Sequence, residues 1–258
     1  MKVDILFTAW NRKQFVEMSF EFLLKNTDWS KVNKVTVYDD GSKDGTKVWL
    51  ERQIVPLNQA GRHPPFELLH TNLNSPPALM NHFLARTDCD VFAKIDSDIA
   101  CPKGWLNSML DVLERSPELE LLGMEAGQTE MVGRDGKEFD GVYGWWDCSH
   151  IGGVGLMRTE RFRQLPPIPE RGYFGWTEYQ DLYRWVRGWI APDLNVVQLD
   201  KIPVEFFRAI TGDHRRLGWS RDWGFYDDSW CRPYYQWVLD SQIVKRMAKK
   251  STARLEVV

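Results

Sequence analysis

Paired cysteines and long apolar runs are both scarce in this chain. The four cysteines, Cys89, Cys101, Cys148 and Cys231, show no CxxC spacing, and no histidine cluster accompanies them. That pattern argues against a zinc site and against a disulfide framework, and it suits a reducing compartment. No apolar run reaches the roughly 20 residues that a membrane-spanning helix needs. The opening MKVDILFTAW is interrupted by Asp4 and is too short in its apolar part for a signal peptide. The expectation is a soluble, cytoplasmic protein. A strong charge of one sign is also lacking. Lys and Arg number 33 against 36 Asp and Glu, a net charge of −3, which argues against a broad surface for phosphate backbones.

The charge is nevertheless unevenly spread. From Arg208 onward, ten Lys and Arg face six Asp and Glu, and the excess gathers in RMAKKSTAR near the end. A solvated, frayed terminus is expected there, with an anionic partner as the alternative. Tryptophan is plentiful, at 13 residues, and nine of these lie from Trp145 onward. Indole rings stack on sugars and bases but also make good core, so the second half is expected to hold aromatic recognition surface. With 43% apolar and 27% charged residues in 258, one domain with a sizeable core is affordable.

Apolar periodicity organises the first part of the chain. VDILFT, from Val3 to Thr8, predicts a strand, and KQFVEMSFEFLLKNT predicts a helix through Phe15, Met18, Phe22 and Leu23. KVTVY is a second strand, DDGSKDGT a turn-rich loop, and KVWLERQIV a second helix with Thr46 as its N-cap. PFELLHT, SPPALMNHFLAR and VFAKI supply a third strand, a third helix with proline in its first turn, and a fourth strand. Alternating strands and helices mark a parallel sheet with crossover helices. Ligands of such sheets gather where the strands end. Three strands here end in polar loops, TAWNR, DDGSKDGT and DSD, which are expected side by side on one rim.

Beyond Asp98 the pattern changes. GWLNSMLDVLERS predicts a helix, LELLGMEA a strand, and QTEMVGRDGKEFDGVYG a hairpin or excursion. HIGGVGLMR predicts a strand whose glycines allow close backbone approach. WTEYQDLYRWVRG and PYYQWVLDSQIVKRMAKK predict one helix each.

The stretch VFAKIDSDIACP brings a buried strand to its end and sets Asp96 and Asp98 there. In a turn, two aspartates can converge on one cation, and their hard oxygens suit Mg²⁺ or Mn²⁺. Such an ion can neutralise a leaving diphosphate. The plain alternative is a turn or cap role for each acid, and a lone DxD does not decide between the two.

The ordered set FTAWNR, YDDGSKDGT, KIDSD, GGVGLMR and EYQDLYR resembles the family 2 glycosyltransferases of the GT-A fold. The resemblance spans residues 3 to 190. It implies an α/β fold with a mostly parallel, Rossmann-like central sheet flanked by helices and an aromatic-rich C-terminal extension. Residues 1–100 would form the nucleotide-sugar half, and 101–258 the acceptor and catalytic half, within one compact domain. It implies a nucleoside diphosphate sugar donor, a UDP-sugar first among them, a divalent cation (Mn²⁺ or Mg²⁺), and inversion during transfer to a hydroxyl acceptor.

Site roles follow from the matching positions. Asp39 would meet the base or ribose, with Thr8, Ala9 and Arg12 lining the same pocket. Asp96 would contact ribose or sugar, and Asp98 the metal. The family's base lies in a pattern like EDxDLxxR. Here the chain reads Glu178-Tyr179-Gln180-Asp181-Leu182-Tyr183-Arg184, so Tyr179 replaces one acid. Glu178 is then the first candidate base and Asp181 the second, although each could simply serve its helix. His214 is a candidate late metal ligand, with Arg215 and Arg216 beside it for the diphosphate. Trp145 or Trp146 would stack on a sugar ring, Asp147 would bind a hydroxyl, and His150 would face the sugar. His63, His70 and His82 are expected to be structural.

Three rival readings remain open at this level: a retaining transferase, a nucleotidyltransferase, and a non-catalytic carbohydrate-binding protein. A hydroxymethylated base flipped from DNA is a further possible acceptor.

Overall fold

The computed structural model describes residues 1–124, 137–139, 142–144, 153–165, 188–191, 197–199, 202 and 232–255. The first part alternates as expected: β1 (Val3–Ala9), α1 (Lys13–Asn26), β2 (Val32–Asp40), α2 (Thr46–Ala60), β3 (Phe66–Thr71), α3 (Pro76–Leu84) and β4 (Val91–Asp96). There follow β5 (Ile99–Ala100), α4 (Trp105–Arg115), β6 (Leu121–Met124), β7 (Lys137–Phe139), β8 (Val142–Gly144), β9 (Val154–Arg158) and α5 (Thr159–Gln164). Last come β10 (Gly188–Ala191), β11 (Val197–Gln198), α6 (Arg232–Asp240) and α7 (Gln242–Leu255).

Seven strands form one sheet in the order β10-β6-β9-β4-β1-β2-β3. β3, β2, β1 and β4 run parallel, as crossover helices dictate. β9 alone runs against its neighbours, β4 and β6. The reason is connectivity: β6 ends at the carboxyl rim of the sheet, where Met124 faces Val154, and the chain re-enters from that same rim. The expected hairpin is present as the antiparallel pair of β7 and β8.

β1 and β4 are covered on both faces, which is why they read as nearly unbroken apolar runs. Alternate residues feed two separate cores. Val3, Ile5, Phe7, Val35, Val37, Val91, Ala93 and Ile95 meet Val16, Phe20, Leu50, Ile54 and Leu106, from α1, α2 and α4. Leu6, Tyr38 and Phe92 meet Leu79, Met80 and Phe83 of α3 and Phe162 of α5 on the other side. The sheet is thereby sandwiched between helices, as its pattern predicts.

Three local expectations are corrected. The N-cap of α2 is Gly45 rather than Thr46; Thr46 is the first helical residue, and its hydroxyl donates to Asp44 Oδ1 at 2.6 Å. The single helix expected from PYYQWVLDSQIVKRMAKK is broken at Ser241 into α6 and α7. The basic tail is not frayed through Leu255. Ile243, Val244 and Met247 of α7 pack with Phe15, Met18 and Phe22 on the outer side of α1, and Arg246 pairs with Glu21. The stripe at 243, 244 and 247 supplies the apolar face that holds the tail as helix. The helix expected from WTEYQDLYRWVRG lies outside the described residues. Among those described, no helix is long and apolar enough to cross a membrane.

Candidate active site

The carboxyl ends of β2, β1 and β4 lie next to one another, so the three polar loops share one rim as expected. In register, Ala9 stands opposite Asp39 and Thr8 opposite Asp96. The loops after β1 and β2 are tied together. Asn11 N–H donates to Ser42 Oγ at 2.7 Å, and Lys43 N–H donates to Asn11 Oδ1 at 2.8 Å. Asp44 serves two helices, accepting from Lys13 N–H at 2.8 Å and from Thr46 N–H at 3.1 Å. Carboxylate capping of exposed helix N–H groups stabilises each start. Asn11 and Arg12 both take left-handed backbone, with φ of 53° and 57°. That conformation costs roughly 1–2 kcal/mol per non-glycine residue, and such strain persists where its surroundings enforce it.

The two acids of DDGS have separate fates. Asp40 is used by the loop after β3: it accepts from Thr71 Oγ1 at 2.9 Å, Leu73 N–H at 2.7 Å and Ser75 N–H at 3.2 Å. Asp39 is only 1% exposed, yet its Oδ1 has no hydrogen-bond partner among the described residues. Its Oδ2 lies 3.4 Å from His70 Nδ1, and His70 Nε2 lies 3.1 Å from Glu51. A buried carboxylate oxygen without a donor costs free energy unless a ligand supplies one. Gly41, with φ of 79°, closes the turn beneath; a Cβ there would stand 2.6 Å from Asn72 Oδ1.

At the end of β4, Lys94 and Asp96 share a face, being two residues apart on a strand, and Lys94 Nζ lies 2.6 Å from Asp96 Oδ1. Burial is the main influence on Asp96 and raises its pKa, with Lys94 opposing and Asp98 adding to the rise. Asp98 lies past the strand in the turn. Its Oδ2 accepts from Arg12 Nη2 at 2.7 Å and from Nη1 at 3.1 Å. The turn is fixed from both sides: Asp96 N–H donates to Gly153 O at 2.9 Å, and Leu199 N–H donates to Asp98 O at 2.7 Å. The close approach expected of the glycine-rich strand occurs at Gly153, where a Cβ would fall 2.1 Å from Ile99 Cδ1.

Asp96 and Asp98 offer hard oxygen donors on adjacent backbone, and they feel one another's charge. Among the described residues no group of three or more His, Cys, Asp or Glu side chains gathers into a metal site. Mg²⁺ and Mn²⁺ are commonly held by one or two carboxylates, with water and substrate phosphate completing the shell. The donor set therefore fits such a cation. Trp145, Glu178, Asp181, His214 and Arg215, with Trp146, Asp147, His150 and Arg216, lie outside the described residues.

Three further side chains stand at or beside the rim. Lys94 is the first: a lysine in a buried strand two residues before an aspartate signals an ion pair. His70, expected to be structural, stands opposite Asp39 because β3 pairs with β2 at that offset. Trp10, 51% exposed between Ala9 and Asn11, is a large apolar face at the rim; an aromatic in the polar loop that follows β1 was the available signal.

A family model, Glycosyl transferase family 2, matches residues 4–171. No protein of curated function matches at the sequence level. Several solved structures share the fold. A mannosyltransferase from Pyrobaculum calidifontis, solved with GDP-Man and Mn²⁺, superposes with a TM-score of 0.61 at 13% identity, over 100% of this chain and 75% of that one. S. aureus TarS 1-349 gives 0.57 at 16% identity, over 98% and 83%. GalNAc-T7 with UDP, GalNAc and Mn²⁺ gives 0.55 at 11% identity, over 76% and 43%.

Proposed function

This chain belongs to glycosyltransferase family 2 and has the GT-A fold, and from that premise we propose that it moves a sugar from a nucleoside diphosphate sugar to an acceptor hydroxyl, with inversion and with the help of Mn²⁺ or Mg²⁺. One observation carries the reading. The Asp39 carboxylate, buried and lacking a donor at Oδ1 among the described residues, stands on the same rim as the Asp96–Asp98 pair, with only β1 between them. A nucleotide would supply the missing donor from a base N–H or a ribose hydroxyl. Uracil and guanine both present such an N–H.

In this reading Thr8, Ala9 and Arg12 line the nucleotide pocket beside Asp39. Trp10 offers a stacking face for the base. Asp96, held by Lys94, meets the ribose or the sugar. Asp98 is the residue that would hold the cation, with His214 as a further ligand. The cation, when bound, would supply positive charge against the leaving diphosphate. Arg215 adds charge there, and Trp145 stacks on the donor sugar. Glu178, or failing that Asp181, takes the acceptor proton in an in-line displacement. The acceptor is a hydroxyl compound; neither the fold nor the comparisons speak for DNA.

The test is a panel of nucleotide sugars, with and without Mn²⁺, read by release of nucleoside diphosphate. UDP-sugars are expected to turn over, GDP-sugars being the next choice. Asp98→Ala should abolish metal-dependent release while leaving the circular dichroism spectrum unchanged. Undiminished release by that variant would reject the metal role, and release of pyrophosphate instead would reject glycosyl transfer.

A further inference from the structure

Arg12 lies on the carboxylate that the proposed function gives to the cation. Both nitrogens of its guanidinium fork donate to the single oxygen Oδ2 of Asp98, at 2.7 and 3.1 Å. The two side chains are only 12% and 10% exposed, so little water screens the pair. The guanidinium also stands 5.4 Å from the centroid of the Phe15 ring. The loop that aims it is set rather than loose. Arg12 and Asn11 are both in left-handed backbone, and Asn11 is fastened to the loop after β2 through Ser42 and Lys43.

Among the described residues, each acid at the end of β4 already has a cation beside it: Arg12 pairs with Asp98 and Lys94 with Asp96. A divalent ion approaching Asp98 therefore meets an acid whose charge is already answered. It cannot share Oδ2 with the guanidinium without bringing two cations together. Once displaced, the guanidinium is tethered to the same rim, where a diphosphate is the natural acceptor for its donors.

We infer that Arg12 is a built-in competitor of the metal: it occupies Asp98 in the resting protein, holds metal affinity low, and passes to the diphosphate when metal and donor bind together. The inference rests on the proposed function for the identity of the ligands. It makes metal and nucleotide binding cooperative, since each ligand gives the displaced group or the vacated carboxylate a new partner.

The experiment titrates Mn²⁺ alone into the purified full chain and reads free Mn²⁺ by electron paramagnetic resonance. Arg12→Gln removes the competing charge, and Mn²⁺ affinity is expected to rise by about tenfold or more. Adding Asp98→Asn to Arg12→Gln should cancel the gain. Arg12→Lys keeps the charge but loses the fork, so its affinity should fall between wild type and Arg12→Gln; it serves as the second variant if Arg12→Gln does not fold. Mn²⁺ affinity in Arg12→Gln or Arg12→Lys equal to or below wild type would overturn the inference and leave Arg12 as a scaffold for Asp98. Donor turnover by the wild type, measured in parallel, separates the two ideas. Turnover without the affinity gain refutes the competitor alone, and the gain without turnover by any donor refutes the transferase reading alone.

Discussion

Asp39 and Asp40 allow a same-chemistry contrast between neighbours. Asp40→Ala strands three donors at once, Thr71 Oγ1, Leu73 N–H and Ser75 N–H. Hydrogen bonds to a charged acceptor contribute about 1.5–3 kcal/mol each, less where water can replace the partner. Ser75 is buried and Leu73 is exposed, so the three do not count equally. A net loss of about 3 kcal/mol is expected, or roughly 6–12 °C in Tm for a chain of this size. Asp39→Ala removes a carboxylate whose Oδ1 bonds to nothing among the described residues and whose Oδ2 has only the 3.4 Å approach of His70. Its stability cost should stay under about 1 kcal/mol. Affinity for UDP should behave in the opposite way. Losing one charged acceptor of a buried ligand N–H or hydroxyl weakens binding on the order of 10- to 100-fold. Urea unfolding and calorimetric titration with UDP measure both quantities on both variants. Equal losses of unfolding free energy, or UDP binding by Asp39→Ala as tight as wild type, would refute the division of labour.

Two further outcomes are expected. Gly153→Ala places a methyl 2.1 Å from Ile99 Cδ1; overpacking of this kind costs about 1–3 kcal/mol, and adding Ile99→Ala should restore much of that in a thermal melt. Glu178→Gln and Asp181→Asn, made separately, should differ sharply in turnover at saturating donor, and equal mild effects would place the proton acceptor elsewhere.

The parallel half of the sheet was legible because β1, β4 and most of β2 are buried on both faces and end abruptly in polar loops. A run from Val91 to Ile95, apolar but for Lys94 and followed by Asp96, leaves little choice about where the strand stops. The rim was legible for the same reason, since strand ends of one direction must lie together. Partners set by register, not by local pattern, were not legible. His70 meets Asp39 only because β3 pairs with β2 at that offset. Arg12 meets Asp98 across a separation of 86 residues. The reversal of β9 follows from where the chain re-enters the sheet, which no period-two pattern records. At the tail, composition misled: a basic stretch looks solvated until its three apolar residues, Ile243, Val244 and Met247, find the outer side of α1.

The antiparallel strand β9 has a further consequence. Met124 and Ile95 both face Val154, so the polypeptide that departs after β6 comes back at the same margin of the sheet that carries the three aspartates. Residues inserted or deleted between Met124 and Val154 leave every pairing of the seven-stranded sheet untouched. A change in the length of that one segment is thus compatible with an unchanged rim of β1, β2 and β4, where Asp39, Asp96 and Asp98 stand.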